Sequence, residues 1–116
     1  EKLTSGDWVM AEFYSIHSLL IFLQDGEFLG RVSLQYGRCK YPEIAIVVVK
    51  KYQNQGYGFK LLKEWCSWVH EVYGYSRLDI LIDAENEPSI RLFRKLDVKW
   101  DSKDSDVLEC HIELPL

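Results

Sequence analysis

The stretch Glu43 to Lys63, EIAIVVVKKYQNQGYGFKLLK, sets what the rest of this chain can be. Ile44 to Val49 is an apolar, mostly β-branched run and predicts a buried strand. It leads through Lys50, Lys51 and Tyr52 into Gln53-Asn54-Gln55-Gly56-Tyr57-Gly58, after which Phe59, Leu62, Trp65, Cys66, Val69 and Val72 recur at helical spacing. The order is strand, glycine loop, helix. Glycines at a helix start let the backbone approach a ligand closely, and the unpaired first-turn N–H groups and the positive end of the helix dipole favour an anion. A phosphate or pyrophosphate is the expected guest. Glycines also serve merely to turn a chain from strand into helix, so the loop by itself does not fix a ligand. Two nucleotide sites are excluded: the loop has too few glycines for the dinucleotide fingerprint and lacks the Gly-Lys-Ser/Thr ending of a P-loop.

With 116 residues, 47% hydrophobic and 28% charged, the chain supports one compact core. A single domain over 1–116 is expected, with residues 1–15 as a short, poorly defined N-terminal segment. The net charge of -4 argues against a general nucleic-acid binder, which carries a basic excess, but is compatible with a small anionic ligand. Cys39, Cys66 and Cys110 are odd in number, far apart and in no Cys-x-x-Cys pair, so neither a disulfide framework nor a zinc site is indicated and a reducing cytoplasm is expected. His17, His70 and His111 lie in different segments without metal-ligand spacing, so no metal is expected. No apolar run, Leu19 to Leu23 included, is long enough to span a membrane, and no signal-peptide pattern opens the chain. A start at Glu1 points to a processed or excised product.

Residues 1–15, EKLTSGDWVMAEFYS, have no clear period, and a short helix capped near Ser5 or Asp7 is expected there. Between Ile16 and Tyr36, SLLIFLQ and EFLGRVSLQY flank Asp25-Gly26, a dipeptide suited to a two-residue turn, which predicts a β-hairpin. Gly30 inside its second strand marks a bulge. Gly37 to Pro42 reads as a loop, residues 43–50 as a strand, and Gly56 to Tyr73 as a long helix closed by Gly74. Arg77 to Asp83 is a further strand, and Glu87 to Leu96 a second helix that starts near Asn86 with Pro88 in its first turn. Val98 to Ser102 and Val107 to Leu114 read as an antiparallel pair. Trp65 and Trp68 cannot share one helical stripe, so Trp68 with Leu61 is expected on a second buried face or a subunit contact.

Strand, Gln53-x-x-Gly56-x-Gly58, long helix, strand, then Asn86-x-x-Ser89-x-x-Leu92-Phe93-x-Lys95 resembles the central motifs of the GNAT superfamily of acyl-CoA-dependent N-acyltransferases, over residues 17–114. The resemblance implies an α/β fold with a mixed, mostly antiparallel sheet flanked by two main helices. It also implies acetyl-CoA as co-substrate, with no metal, and an amine of a small molecule or protein as acceptor. On it, the N–H groups of Asn54, Gln55, Gly56, Tyr57, Gly58 and Phe59 surround the CoA pyrophosphate. The pantetheine arm pairs with the backbone of Ile46, Val47 and Val48, whose side chains are core residues, and Asn86 contacts CoA where the strands splay. Lys50, Lys51, Lys60 and Lys63 are candidates for the remaining phosphate charge.

The sequence departs from the family pattern in three places. Gln55 stands where a basic residue is frequent, which removes a charge and leaves the N–H groups. Phe93 stands where many members have a Tyr that protonates the leaving thiolate, so its ring is expected near the CoA sulfur with no proton to give. Finally, the family has a strand and two helices before the hairpin, where this chain has about sixteen residues. The acceptor side is therefore truncated, rearranged, or completed by a homodimer or partner chain. Glu43, at the head of the central strand, is the candidate general base. Asp79 and Asp83 share a strand face and are candidates to attract a cationic amine. Two functions follow: an N-acetyltransferase acting on a primary amine, or a non-catalytic CoA-binding or interaction module.

Overall fold

The computed structural model describes residues 8–15, 18–36, 41–103 and 106–116. Its strands are β1 Trp8–Ser15, β2 Ser18–Leu23, β3 Phe28–Gln35, β4 Glu43–Val48, β5 Arg77–Asp83, β6 Lys99–Lys103 and β7 Val107–Glu113. Helix α1, Tyr57–Tyr73, joins β4 to β5, and α2, Glu87–Lys95, joins β5 to β6. All seven strands form one sheet in the order β1-β2-β3-β4-β5-β7-β6. Among the described residues only β4 and β5 are parallel neighbours, so the mixed, mostly antiparallel sheet with two main helices is the observed fold class.

Both helices lie on one face, and the topology says why. The connections β4-α1-β5 and β5-α2-β6 each link strands of the same direction and step the same way along the sheet. Right-handed crossovers therefore put both helices on the same side. Leu61, Leu62, Trp65, Cys66 and Val69 of α1 and Ile90 and Phe93 of α2 join Val32, Ile44, Leu78, Ile80, Cys110 and Ile112 in one buried cluster. Burial alternates along β5, with Leu78, Ile80 and Ile82 inside and Arg77, Asp79, Leu81 and Asp83 on the other face. Polar pairs occupy that second face: Arg77 Nε forms an ion pair with Asp79 Oδ1 at 2.9 Å, and the His111 ring is hydrogen-bonded to Asp101 at 2.8 Å.

Several expectations are corrected. In place of a helix near the N-terminus, Trp8–Ser15 is an edge strand, paired Trp8↔Leu23 through Ala11↔Leu20; the cap positions Ser5 and Asp7 lie outside the described residues. Trp, Val, Phe and Tyr suit a pleated surface, and the hairpin offers an edge to pair with, which outweighs a weak helical period. The hairpin loop has three residues rather than two. Leu23 N–H bonds to the Glu27 carbonyl and Gly26 N–H to the Leu23 carbonyl, leaving Gln24-Asp25-Gly26 as the loop, with Gly26 at φ 92 in the left-handed position such loops require. β4 ends at Val48, and a 3₁₀ turn, Lys50–Tyr52, takes up the rest of the expected strand. The strand is also less buried than its apolar run implies: Val47 points away from the helices and is 54% exposed, so it is not a core residue. Leu61 is fully buried in the main core, whereas the half-buried Trp68 stacks edge-on against Tyr73 with ring centroids 5.5 Å apart.

The bulge falls beside Gly30, where the β2–β3 register shifts between Ile21↔Gly30 and Phe22↔Phe28. A Cβ at Gly30 would sit 2.0 Å from the Val47 carbonyl oxygen, so the glycine permits the close approach of β4. Gly30→Ala should therefore destabilise the chain by about 1–3 kcal/mol, because two backbones must move apart. Urea denaturation checks this, and an unchanged midpoint would show that the strands can shift freely.

Candidate functional site

β4 and β5 are in register at one pair only, Glu43↔Asp79, supported by a bond from Asp79 N–H to the Pro42 carbonyl at 2.8 Å. Beyond it they part. The edge of Ile46–Val48 that faces β5 consequently has no strand partner. A cleft of about 340 Å³ opens at the parting. Its floor is Ile46, Val47 and Val48, one wall is Tyr52, Gln53, Asn54, Gly56, Gly58 and Phe59, and the other is the start and one stripe of α2.

The glycine loop is shaped by its own side chains. Gln53 Nε2 donates to the Val48 carbonyl at 2.8 Å, and Gln55 Nε2 donates to the Lys51 carbonyl at 2.9 Å. Asn54 and Gly56 take positive φ, 62 and 88, and Gly56 is the N-cap of α1, so no side chain caps the first turn of that helix. A Cβ on Gly56 would meet nothing within 4 Å, so the backbone there faces open space. Gly58 answers a different need: its Cβ would lie 3.3 Å from Leu92 Cδ2, so it lets α1 and α2 come together. At the start of α2, Asn86 Oδ1 accepts the Ser89 N–H at 3.3 Å, and Pro88 fills the first turn, where a missing N–H costs nothing.

Of the residues expected around a ligand, Ile46, Val47, Val48, Asn54, Gly56, Gly58, Phe59 and Asn86 line this one cleft. Four others do not. The Gln55 side chain turns back on Lys51, Tyr57 stands edge-on to Tyr52 at 5.7 Å, and Glu43 lies where the strands part. Phe93 is 3% exposed within the core. On α2 the stripe Pro88, Ser89, Arg91, Leu92 and Lys95 turns to the cleft, which leaves Ile90 and Phe93 facing the sheet. Asp79 is paired with Arg77, and Asp83 Oδ1 accepts the Glu85 N–H in the turn before α2, so both are outside the cleft.

Sequence reasoning did not count Tyr52, Gln53, Pro88, Ser89, Arg91, Leu92 and Lys95 among the site residues. Once Asn86 is placed as the cap, helical periodicity alone assigns the last three to one face. The lysines singled out instead are otherwise disposed: none of Lys50, Lys51, Lys60 and Lys63 lines the cleft, Lys51 is bonded to Glu27 at 2.8 Å, and Lys63 sits 5.4 Å from the Phe59 ring centre. Tyr52 donates its hydroxyl to the same Glu27 carboxylate, which raises the phenol above its ordinary range. The lysine ammonium, followed by the Tyr52 hydroxyl, holds the Glu27 carboxyl below its own. Among the described residues, no group of three or more His, Cys, Asp or Glu side chains is arranged to hold a metal ion.

A family model described as an acetyltransferase (GNAT) domain matches residues 4–99. This chain belongs to the GNAT acetyltransferase family. No curated protein sequence matches it. Among solved structures, a GNAT-family acetyltransferase from Streptococcus pneumoniae is 22% identical with a TM-score of 0.71, over 97% of this chain and 70% of that one. One from Bacillus anthracis is 17% identical with a TM-score of 0.72, over 84% and 66%. Spermidine N-acetyltransferase from Vibrio cholerae, solved in complex with CoA and spermine, is 13% identical with a TM-score of 0.73, over 83% and 64%. At these identities the likeness is one of fold, and this GNAT chain spans about two thirds of the length of those acetyltransferases.

The cap geometry carries a test of its own. Asn86→Ala should cost about 1 kcal/mol of stability, and Asn86→Asp should cost much less, since a carboxylate can accept the same N–H. Chemical denaturation of both variants checks this; equal losses would mean that Asn86 does more than cap α2.

Proposed function

We propose that this chain binds acetyl-CoA in the cleft beside β4 and transfers the acetyl group to a primary amine of a small molecule or protein. One observation carries the reading: in a chain of net charge -4, the cleft joins an uncapped helix start to two cations, Arg91 and Lys95, and among the described residues no carboxylate lines it. That is an environment for a polyphosphate. Loop N–H groups from Asn54 to Phe59 would hold the pyrophosphate, and the β4 edge of Ile46–Val48, apart from the Val48 carbonyl that Gln53 takes, would pair with the amides of the pantetheine arm. Acetyl-CoA supplies an acyl group already activated as a thioester.

The chain's own task is then modest. An N–H of the β4 edge stabilises the oxyanion, and Glu43, where the strands part, takes the proton of the attacking amine. Glu43 and Asp79 lie on the sheet face opposite the helices, so a second copy or a partner chain on that face would complete the acceptor side. Phe93 is withdrawn into the core, so no hydroxyl at that position meets the leaving thiolate, whose ordinary pKa of about 8.5 lets solvent protonate it. The same feature favours the second reading, a CoA-binding module without turnover.

Acetyl-CoA at a hundred times its dissociation constant should stabilise the fold by about 2.7 kcal/mol, read as a rise in Tm. Gly56→Val should remove the rise, because a branched side chain is strained at φ 88 and enters the cleft. No rise with the parent chain at millimolar acetyl-CoA would reject the reading. Free-thiol release with a panel of amines separates enzyme from module. If Glu43 is the base, Glu43→Gln should lower kcat by about 10²- to 10⁴-fold at unchanged acetyl-CoA affinity, and an unaltered rate would move the role elsewhere.

A further inference from the structure

We propose that Arg91 and Lys95 bind the 3′-phosphate of CoA and so select CoA over its dephosphorylated form. The inference rests on the acetyl-CoA reading and adds a site to it, since the glycine loop accounts only for the pyrophosphate. CoA carries a third phosphate on the ribose, a dianionic monoester that needs cations of its own.

The cations near the loop in sequence are poor candidates, since none lines the cleft and Lys51 is held by Glu27. Arg91 and Lys95 do line it, are exposed, and make no ion pair or hydrogen bond among the described residues. They stand four residues apart on α2, the spacing at which like charges on a helix repel. Glu87, one turn before Arg91, faces a second groove together with Arg94 and does not relieve them. The pair therefore carries a folding cost that an anion between the two side chains would remove. Its position suits the ligand. Leu92 lies against Gly58, 3.3 Å from where a Cβ would stand, which brings this part of α2 against the pyrophosphate loop. Lys95 is three residues further, a rise of about 4.5 Å, and Arg91 is the neighbour of Leu92 on the other side. Both flexible side chains can meet a phosphate one ribose away from the pyrophosphate.

The experiment is calorimetric titration of CoA and of 3′-dephospho-CoA into the parent chain, the double variant Arg91→Gln/Lys95→Gln, and Arg94→Gln. The parent chain should bind CoA at least about tenfold more tightly than dephospho-CoA. The double variant should lose that preference while keeping its affinity for dephospho-CoA, which also shows that its cleft is folded. Arg94→Gln removes one positive charge from the same helix outside this cleft and should leave the preference intact. Equal affinities in the parent chain, equal weakening of both ligands in the double variant, or loss of the preference in Arg94→Gln would each overturn the assignment. If neither ligand binds the parent chain, the acetyl-CoA reading itself fails and takes this site with it.

Discussion

Everything that resembles a site in this chain follows from one interruption of hydrogen bonding: β4 and β5 pair at Glu43↔Asp79 and then diverge. A parallel pair cannot be joined by a tight turn, so the chain must leave the sheet and return through a helix. The glycine loop and α1 are that detour. The divergence leaves one edge of β4 without a strand partner among the described residues; Gln53 takes the Val48 carbonyl, and the remaining backbone polar groups there need either water or a ligand. The start of α1 opens at the same place, and so does the start of α2. Strand edge, helix terminus and second helix are thus brought together by connectivity, before any side chain is considered.

Side chains then give the cleft its sign. The chain is acidic as a whole, yet no carboxylate among the described residues lines the cleft, and four are paired elsewhere: Asp79 with Arg77, Asp101 with His111, Glu113 with Lys99 and Glu27 with Lys51. What remains around the cleft is backbone, amide side chains, two cations and an aromatic and aliphatic floor. Field lines from fixed charges concentrate in a concave site, so even two unopposed cations weigh more there than on a convex surface.

Most of the architecture was legible because its signals were local and independent. The period-2 run of Arg77–Asp83, the glycine closing α1 and the Asn-x-x-Ser start of α2 each announce an element without reference to the rest. The N-terminal strand was not legible, because Trp8–Ser15 becomes a strand only by pairing with β2, and that edge is a tertiary fact. In the cleft, the glycine loop and the cap of α2 were readable, whereas the side chains that α2 presents beyond its cap were not. Phe93 shows the limit most clearly. The motif gives its distance along the chain from Asn86, but whether position 92 or 93 faces the opening depends on how α2 is rotated against the sheet, which the packing of Ile90 and Phe93 decides.

The loop's tethers have a consequence for how it would meet a ligand. Tyr52 and Lys51 reach across to Glu27 at the hairpin turn, while Gln53 and Gln55 fasten the loop to carbonyls of its own approach. Between those fastenings, Asn54 and Gly56 hold left-handed backbone angles. The conformational entropy of this segment is thus surrendered when the chain folds, and a phosphate bound there would meet donors already in place. Rigidity at the mouth of the cleft is in that sense supplied by the turn of the β2–β3 hairpin, whose Glu27 does not line the cleft.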